Sequence, residues 1–551
     1  MSSLRAPGLG PIVGHTTDRT CRLWMQAPVA DDPKRAAEED RRTIGVLVVV
    51  ARAGVTLPPA DRPAFYFRLR REFERTGTFV LGEECNLGGA GEPWLLAPDT
   101  EYRVRLASLA IDDDFDNDAR VSSELLVERL PPARVWTAVI DELPAEACEA
   151  VFRTHPAAGA VADTLAFLLG SCRYPGLLWK VKESDQIFAP MSAELQATRH
   201  AARPRLVLMA GDQIYADTFN RHIPVGLADT SAEFNDRYQK AFGSANMRRL
   251  LRQVPTYMIL DDHEIEDNWS QDRLSKPGRK LLFNLAIGAY LSYQWSHGPR
   301  SYGRRLYYDF ACAGYPFFVL DTRTQRYLDG GADDLERNHL LGRPSLAADE
   351  PSQLDIVCDW LRDQQQNRGD APKFIVTSGV FVPNHVATVH DDAAKADSDS
   401  WPAFPATRRR LLRAIADHGV QNVVFLAGDV HCSHVAQLRL QGPNCGHLRA
   451  YSVVSSAFYW PFPFADGEPA DFVHDSTDPR TPDTFAVSDS VTMDYRAWNF
   501  AQDDNFCRLT IDRPGHRLIV EVIGRDGKHI TTRGPLRQPV DLTSDLALAP
   551  W

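Results

Sequence analysis

The sequence predicts an α/β domain preceded by an all-β domain of immunoglobulin or fibronectin type, and three observations carry that reading. Up to about residue 150 the β-rich runs are short and separated by Gly, Pro and Asp turn signals, as in a sandwich of short strands. From about Leu165 the apolar runs no longer alternate with polar residues, and each is followed at once by polar ones, which is how strands buried on both faces read. Helical stretches lie between those runs. At 551 residues and 44% hydrophobic, the chain can bury more than one core, and two domains are expected, 1–150 and 151–551.

In the leading part, GPIVGHTTDRTCRLWMQAP and TIGVLVVVARAG read as strands. LAPDTEYRVRLASL sets a Pro-Asp turn ahead of the alternating Tyr102, Val104 and Leu106. The charged, Ala-rich stretch from Asp31 to Arg42 reads as a loop or short surface helix, and LPPARVWTAVIDELPAEACEAV as the exit from the domain. In the second part six buried strands are expected. LAFLLG precedes Ser171-Cys172, RLVLMA precedes Gly211-Asp212, and TYMIL precedes Asp261-Asp262. FFVL then precedes Asp321, KFIVT precedes Ser378, and NVVFLA precedes Gly428-Asp429. LLFNLAIGAYLSYQW and ATRRRLLRAIADHG read as helices, the latter stopped by a C-terminal Gly. FCRLTIDRPGHRLIVEVIGRDG has the form of a hairpin closing the sheet.

Charge narrows the function. A net charge of −12 and a pI near 5.8 argue against a protein that coats nucleic acid or an anionic membrane, since both need a positive field. A phosphorylated substrate remains compatible, because a bound metal reverses the local field. Nine scattered cysteines without a CxxC pair read as a reducing compartment, and the absence of a secretory or twin-arginine pattern makes the cytoplasm the expected location. No run of about 18 apolar residues predicts a membrane span.

In open α/β sheets the reactive groups sit beyond the strand ends. Here those ends carry Cys172 in GSCRYPG, Asp212 and Tyr215 in GDQIYAD, Asp261 through Asn268 in LDDHEIEDNW, and Asp429 and His431 in AGDVHCSH. Asp429 and His431 are two apart and share a side if the strand continues. Carboxylate and phenolate oxygens with one imidazole and one thiolate suit iron(III), manganese, zinc or calcium. Two such ions bridged by a carboxylate would clamp a phosphoryl group and activate water.

GSCR, GDQIYAD, DDHEIEDNW, LDTRTQR and GDVH, in this order, resemble the alkaline phosphatase D (PhoD-like) family of the metallophosphoesterase superfamily. VGHTTDRTCRLWMQ and LAPDTEYRVRL resemble that family's fibronectin-like leading domain, so the resemblance covers most of the chain. It implies a four-layer β-sandwich catalytic domain and hydrolysis of phosphomonoesters or phosphodiesters, whether of small molecules, lipids or nucleotides. Asp212 would bridge the metals, Cys172, Tyr215 and His431 would hold iron(III), and Asp262 with Asp429 would hold calcium, with manganese or zinc as alternatives. His263 would give a proton to the leaving oxygen, while Arg173, Arg323 and Asn268 would contact phosphate. The chain departs from the family pattern at Ala216-Asp217, where Glu is common after the tyrosine, and in the acidic Glu266-Asp267 of DDHEIEDNW.

Simpler readings stand beside these. Gly-Asp after a strand is often only an Asx turn, DDHEIED reads as a helix start or solvated loop, and a lone Cys is usually a small core hydrophobe. Arg323 has Asp321 as an alternative partner. His434 reads as a surface or supporting histidine; His222, His385 and His390 have no pattern, though one of them could approach the site from a loop. Trp269, Trp295, Trp401 and Tyr290 read as core or pocket wall, and DDAAKADSDS as a solvated loop or a lid. The rival function is a non-catalytic family member that binds phosphorylated ligands or a protein partner. Oligomeric state is not legible.

Overall fold

In the computed structural model, all six strand runs expected beyond Leu165 are strands. The structure describes residues 3–28, 43–87, 92–111, 130–176, 182–197, 202–218, 226–329, 332–344, 350–396, 398–462, 468–533 and 538–551. The expectation for Asp31 to Arg42 lies outside the described residues, as does His222.

Thr256–Met258, Pro204–Met209 and Thr164–Gly170 run parallel at one side of a six-stranded sheet, which continues antiparallel through Asn505–Asp512, Arg517–Gly524 and Thr543–Ala547. An eight-stranded sheet has Tyr315–Val319, Lys373–Val376, Val423–Ala427 and Ala450–Val454 as its parallel centre. Tyr308–Cys312 flanks that centre on one side, and Ser433–Gln441, Thr492–Ala501 and Phe485–Ala486 on the other.

The period-2 geometry of a strand explains why these runs are apolar throughout. Leu165, Phe167, Leu169, Leu206 and Leu208 share one core with Phe374, Val376, Val424 and Leu426 of the other sheet. The intervening Ile375, Val423 and Phe425 point the other way, into a core with Leu354, Val357 and Leu361 of helix Gln353–Arg368 and Leu411, Leu412 and Ile415 of helix Pro405–Asp417. Leu168, Val207 and Met209 likewise face helices Phe188–Glu194, Ser231–Phe242, Ala245–Leu251 and Arg279–Tyr293. Each such side chain contributes about 1.5–3 kcal/mol by leaving water. Gly419 sits just past the Pro405–Asp417 helix at φ 57°, the left-handed stop that its glycine predicts.

Two outcomes differ from the sequence reading. The hairpin of Asn505–Asp512 and Arg517–Gly524 runs through the sheet interior, and Thr543–Ala547 forms the edge instead. Asp429 and His431 do not extend their strand, which ends at Ala427; both sit in a turn, with φ 78° and 53°.

The leading residues form a sheet ordered Leu4–Arg5, Glu101–Ala110, Thr43–Arg52 and Val55–Thr56, with Ala64–Arg68 and Glu149–Arg153 paired to its members. A three-stranded sheet of Leu9–Thr16, Cys21–Gln26 and Thr76–Leu81 shares a core with it. Glu149–Arg153 comes from the stretch read as an exit, yet it rejoins the first sheet. Leu9, Ile12 and Trp24 pack into the helical core of the second part, and the Trp24 indole donates to the Ser292 carbonyl at 2.8 Å. The overall class is mixed α/β with several sheets. Among the described residues no helix is long and apolar enough to cross a membrane.

Candidate metal centre

The ends of the parallel strands meet at one place, and the backbone there is tightly interlocked. Cys172 N–H donates to the Gly211 carbonyl at 3.1 Å, Arg173 N–H to the Asp212 carbonyl at 2.9 Å, and Tyr459 N–H to the Cys172 carbonyl at 3.2 Å. A Cβ on Gly211 would lie 2.6 Å from Asp261 Cβ, and one on Gly428 would lie 2.3 Å from Ser171 Oγ. The glycine before each aspartate is therefore what lets the loops approach. Cys172, Asp212, Asn268, Asp429 and His431 all hold positive φ, between 53° and 78°. Such conformations cost of order 1–3 kcal/mol for a residue with a Cβ and gather where the surrounding fold needs a side chain aimed.

One carboxylate group closes within 4.8 Å: Asp212, Asp261, Asp262 and Asp429. Asp212, Asp262 and His263 form an overlapping group on the same criterion. Cys172 Sγ lies 3.4 Å from Asp212 Oδ2 and 3.6 Å from the Asp429 carbonyl. Tyr215 Oη lies 3.4 Å from Asp212 Oδ2 and 3.3 Å from His431 Nε2, and the His431 ring stacks on Trp460 at 3.5 Å. Thus the six residues expected as ligands converge, and Asp261 joins them.

The electrostatics favour a cation. Burial, then the neighbouring Cys172, holds the Asp212 carboxyl well above the usual range. Burial, then Asp261 and Asp399, does the same to Asp429. Asp261 is pushed up to about 6 by burial against the pull of Arg323. Burial pushes the Cys172 thiol up to about 12 and the Tyr215 phenol well above its ordinary value. Asp212 Oδ1, Asp261 Oδ2 and Asp262 Oδ1 are buried oxygens with no hydrogen-bond partner among the described residues. Unpartnered buried carboxylate oxygens are costly, and a shared metal ion is what their chemistry fits.

The remaining expected residues divide. His263 is fixed by Asp217, whose Oδ1 lies 2.7 Å from Nδ1, and its ring stacks on Tyr215 at 4.2 Å. Burial opposes its charge, but Asp217, Asp262 and Asp212 raise its pKa well above the ordinary value. Asn268 donates its backbone N–H to Asp262 Oδ2 at 2.5 Å and lines the cavity. Arg323 enters the cluster, but as a counter-charge. Its guanidinium donates to Asp261 and to Asp399 at 2.7 and 2.8 Å, and lies 3.4 Å from Asp262, so a free face for phosphate is not left. Its backbone N–H, rather than its guanidinium, takes Asp321. Arg173 is a correction: its guanidinium turns away from the cluster, to Ser244 Oγ at 3.2 Å and the Phe188 ring, where burial lowers its pKa to about 10.

Asp399 was missed in sequence, and Glu264, offered there as a possible ligand, has a different role. Asp399 belongs to the acidic stretch read as a solvated loop or lid, yet it receives both Arg323 and Arg326 and lines the cavity. Burial opposes its charge, and the two guanidinium groups outweigh that, holding the carboxyl far below the usual range. Glu264 accepts the backbone N–H groups of Asp212, Asp261 and Gln213 and the Gln294 side-chain amide, while burial pushes it up to about 8. Asp217 was visible only as a departure from a family pattern. Glu266, the other departure, pairs with Arg273 and Arg279.

A cavity of about 650 Å³ opens over the cluster. Tyr215, Asp262, His263, Asp429 and His431 form its polar side, and Tyr174, Trp460, Phe462 and Phe472 an aromatic one. Of His385 and His390, both among the described residues, His385 reaches it, and His434 is buried behind, stacked on Phe472. Trp269, Trp401 and Tyr290 are core residues, as expected.

Residues 185–459 match the family model described as PhoD-like phosphatase. The match includes Asp212, Tyr215, Asp262, Asp429 and His431 and leaves Cys172 outside. Alkaline phosphatase D of Bacillus subtilis (strain 168) is 25% identical over 311 residues, 52% of this chain and 49% of that protein, so the chain aligns with about half the length of this curated relative. A solved structure described as "Structure of PhoD" superposes with a TM-score of 0.61 at 17% identity, covering 98% of this chain and 89% of that one. That last likeness is one of fold.

Proposed function

Because the chain belongs to the PhoD-like phosphatase family, we propose that it is a metal-dependent phosphoesterase acting on phosphomonoesters or phosphodiesters at the carboxylate cluster. The observation that carries this reading is the convergence of Asp212, Asp261, Asp262 and Asp429 within 4.8 Å, three of them with a buried oxygen that accepts no hydrogen bond among the described residues. Cys172, Tyr215 and His431 would hold one ion and Asp262 with Asp429 a second, Asp212 bridging them. Iron(III) with calcium is the pair the resemblance implies, with manganese or zinc as alternatives. Ions held there supply Lewis-acid polarisation of the phosphoryl group and a lowered pKa for the attacking water.

The protein's own residues do the rest. His263 faces the cavity with Asp217 fixing Nδ1, which leaves Nε2 to give a proton to the leaving oxygen. Asn268 offers a polar contact at the cavity wall. Arg323 and Arg326 position Asp261 and Asp399 and do not bind phosphate. The aromatic side of the cavity excludes water and seats the substrate's organic group. Leading strands 1–150 are read as a fibronectin-like unit, the two larger sheets as the layers of a metallophosphoesterase sandwich, and the nine free cysteines support a reducing location such as the cytoplasm.

The test is Asp212→Asn with elemental analysis. The proposal expects metal content to fall and p-nitrophenyl phosphate or bis-ester turnover to drop roughly 10³-fold or more, on the scale of losing a main transition-state contact, with the fold retained. Full turnover without bound metal would overturn it.

A further inference from the structure

A second cavity, about 730 Å³, lies where the leading strands meet the end of helix Arg279–Tyr293, on different residues from the metal centre. Its described lining carries Arg22, Arg68, Arg70 and Arg300 against one carboxylate, Glu84. We propose that this cavity is a binding site for a small organic anion, with its charged head between Arg22 and Arg300 and an aromatic body against Phe73 and Trp295.

The charge arrangement is the first argument. Arg300 donates to the backbone carbonyls of Trp295 at 2.6 Å and Ser296 at 3.3 Å, and lies over the Trp295 ring, but meets no carboxylate among the described residues. Among the described residues Arg22 makes no ion pair; Glu83 and Glu84 act on it through space. Glu84 is turned to the Val80 N–H at 3.2 Å, and burial raises its pKa. Burial lowers the pKa of Arg22, and burial together with the charge of Arg22 lowers that of Arg300 to about 9. Two mutually repelling, largely desolvated guanidinium groups on one cavity wall destabilise the protein unless an anion sits between them.

The apolar lining is the second argument. Phe73 is 42% exposed although it lines the cavity, and Trp295 also lines it, with Arg300 lying over its ring. Planar rings and guanidinium forks together recognise an aromatic carboxylate, sulfonate or phosphate better than a bare inorganic anion. Those three heads share one chemistry here.

The test is calorimetric titration of the full chain with 2-naphthalenesulfonate, sodium sulfate and 2-naphthol. The sulfonate is expected to bind one to one, with sulfate and the neutral naphthol each at least about tenfold weaker. Arg22→Gln is expected to weaken sulfonate binding roughly 10- to 100-fold, as loss of a charge-assisted contact does, while leaving the melting temperature unchanged or higher because a repulsion is removed. Asp212→Asn is expected to bind the sulfonate like the unsubstituted protein. No sulfonate binding, equal affinity in Arg22→Gln, or loss of binding in Asp212→Asn would overturn the site; sulfate binding as tightly as the sulfonate would overturn its aromatic part.

Discussion

The two halves of the carboxylate cluster balance their charge by different means. Around Asp212 stand Cys172, Tyr215 and His431, which offer hydrogen bonds and ligand atoms but no fixed positive charge. Around Asp261, Asp262 and Asp429 stands Arg323, held in turn by Asp399 and Arg326. The second half has a prebuilt frame of alternating charges that helps to aim its carboxylates. The first half has only His263 nearby and depends on an ion from solution. One half therefore carries part of its own counter-charge, and the other leans more heavily on an ion.

Removing the frame's central charge should have the largest effect on stability. Arg323→Met leaves Asp261 and Asp399 buried without their main partner, and breaking such a pair costs about 3–5 kcal/mol. Urea unfolding monitored by tryptophan fluorescence would measure it. Cys172→Ser, in the half without a fixed cation, should cost far less stability while still lowering metal content. Equal losses in the two variants would erase the distinction between the halves.

A smaller effect should come from the group that joins them. Glu264 takes the Asp212 and Asp261 backbone N–H groups on one oxygen, at 3.2 and 2.9 Å, and Gln213 N–H and the Gln294 amide on the other. Glu264→Gln turns an NH₂ toward two of those donors, leaving them unsatisfied at about 1–3 kcal/mol. Both halves should then lose metal together, read by elemental analysis alongside thermal melting. Loss from one half alone would mean that Glu264 serves only its own loop.

These differences also explain what was readable in advance. The strands were legible because burial on both faces leaves an unbroken apolar run such as Leu206 to Met209, and the six expected ligands because each follows such a run. Asp399 was hidden because an acidic stretch looks solvated unless its partners are known, and Arg323 and Arg326 lie 76 and 73 residues away. Arg173 misled for the opposite reason: an Arg beside a ligand promises phosphate, but the packing of Ser244 and Phe188 decides where it points. Left-handed backbone at Cys172, Asp212 and His431 has no signature in residues that are not glycine.

The last consequence is the weakest and concerns pH. In metal-stripped protein the carboxyls of Asp212 and Asp429 sit well above their ordinary values, and Asp261 at about 6, chiefly through burial. A carboxyl whose pKa is higher folded than unfolded binds more protons in the folded state, so stability falls as pH rises from about 4 through the folded value. Half-buried His15 and buried His297 act with the opposite sign at lower pH: both are lowered to about 3 by desolvation, so their contribution grows from about pH 3 to the ordinary histidine value and is then complete. Above about pH 6.5, where the histidine contribution is complete, chelated protein should therefore lose on the order of 1 kcal/mol per pH unit for each carboxyl still titrating. With metal restored the loss should shrink, because the ion replaces the protons, and the gap between the two melting curves should widen from pH 6 to pH 8. Parallel melting curves with and without chelator would show that the raised carboxyls of Asp212, Asp261 and Asp429 carry no charge that an ion balances.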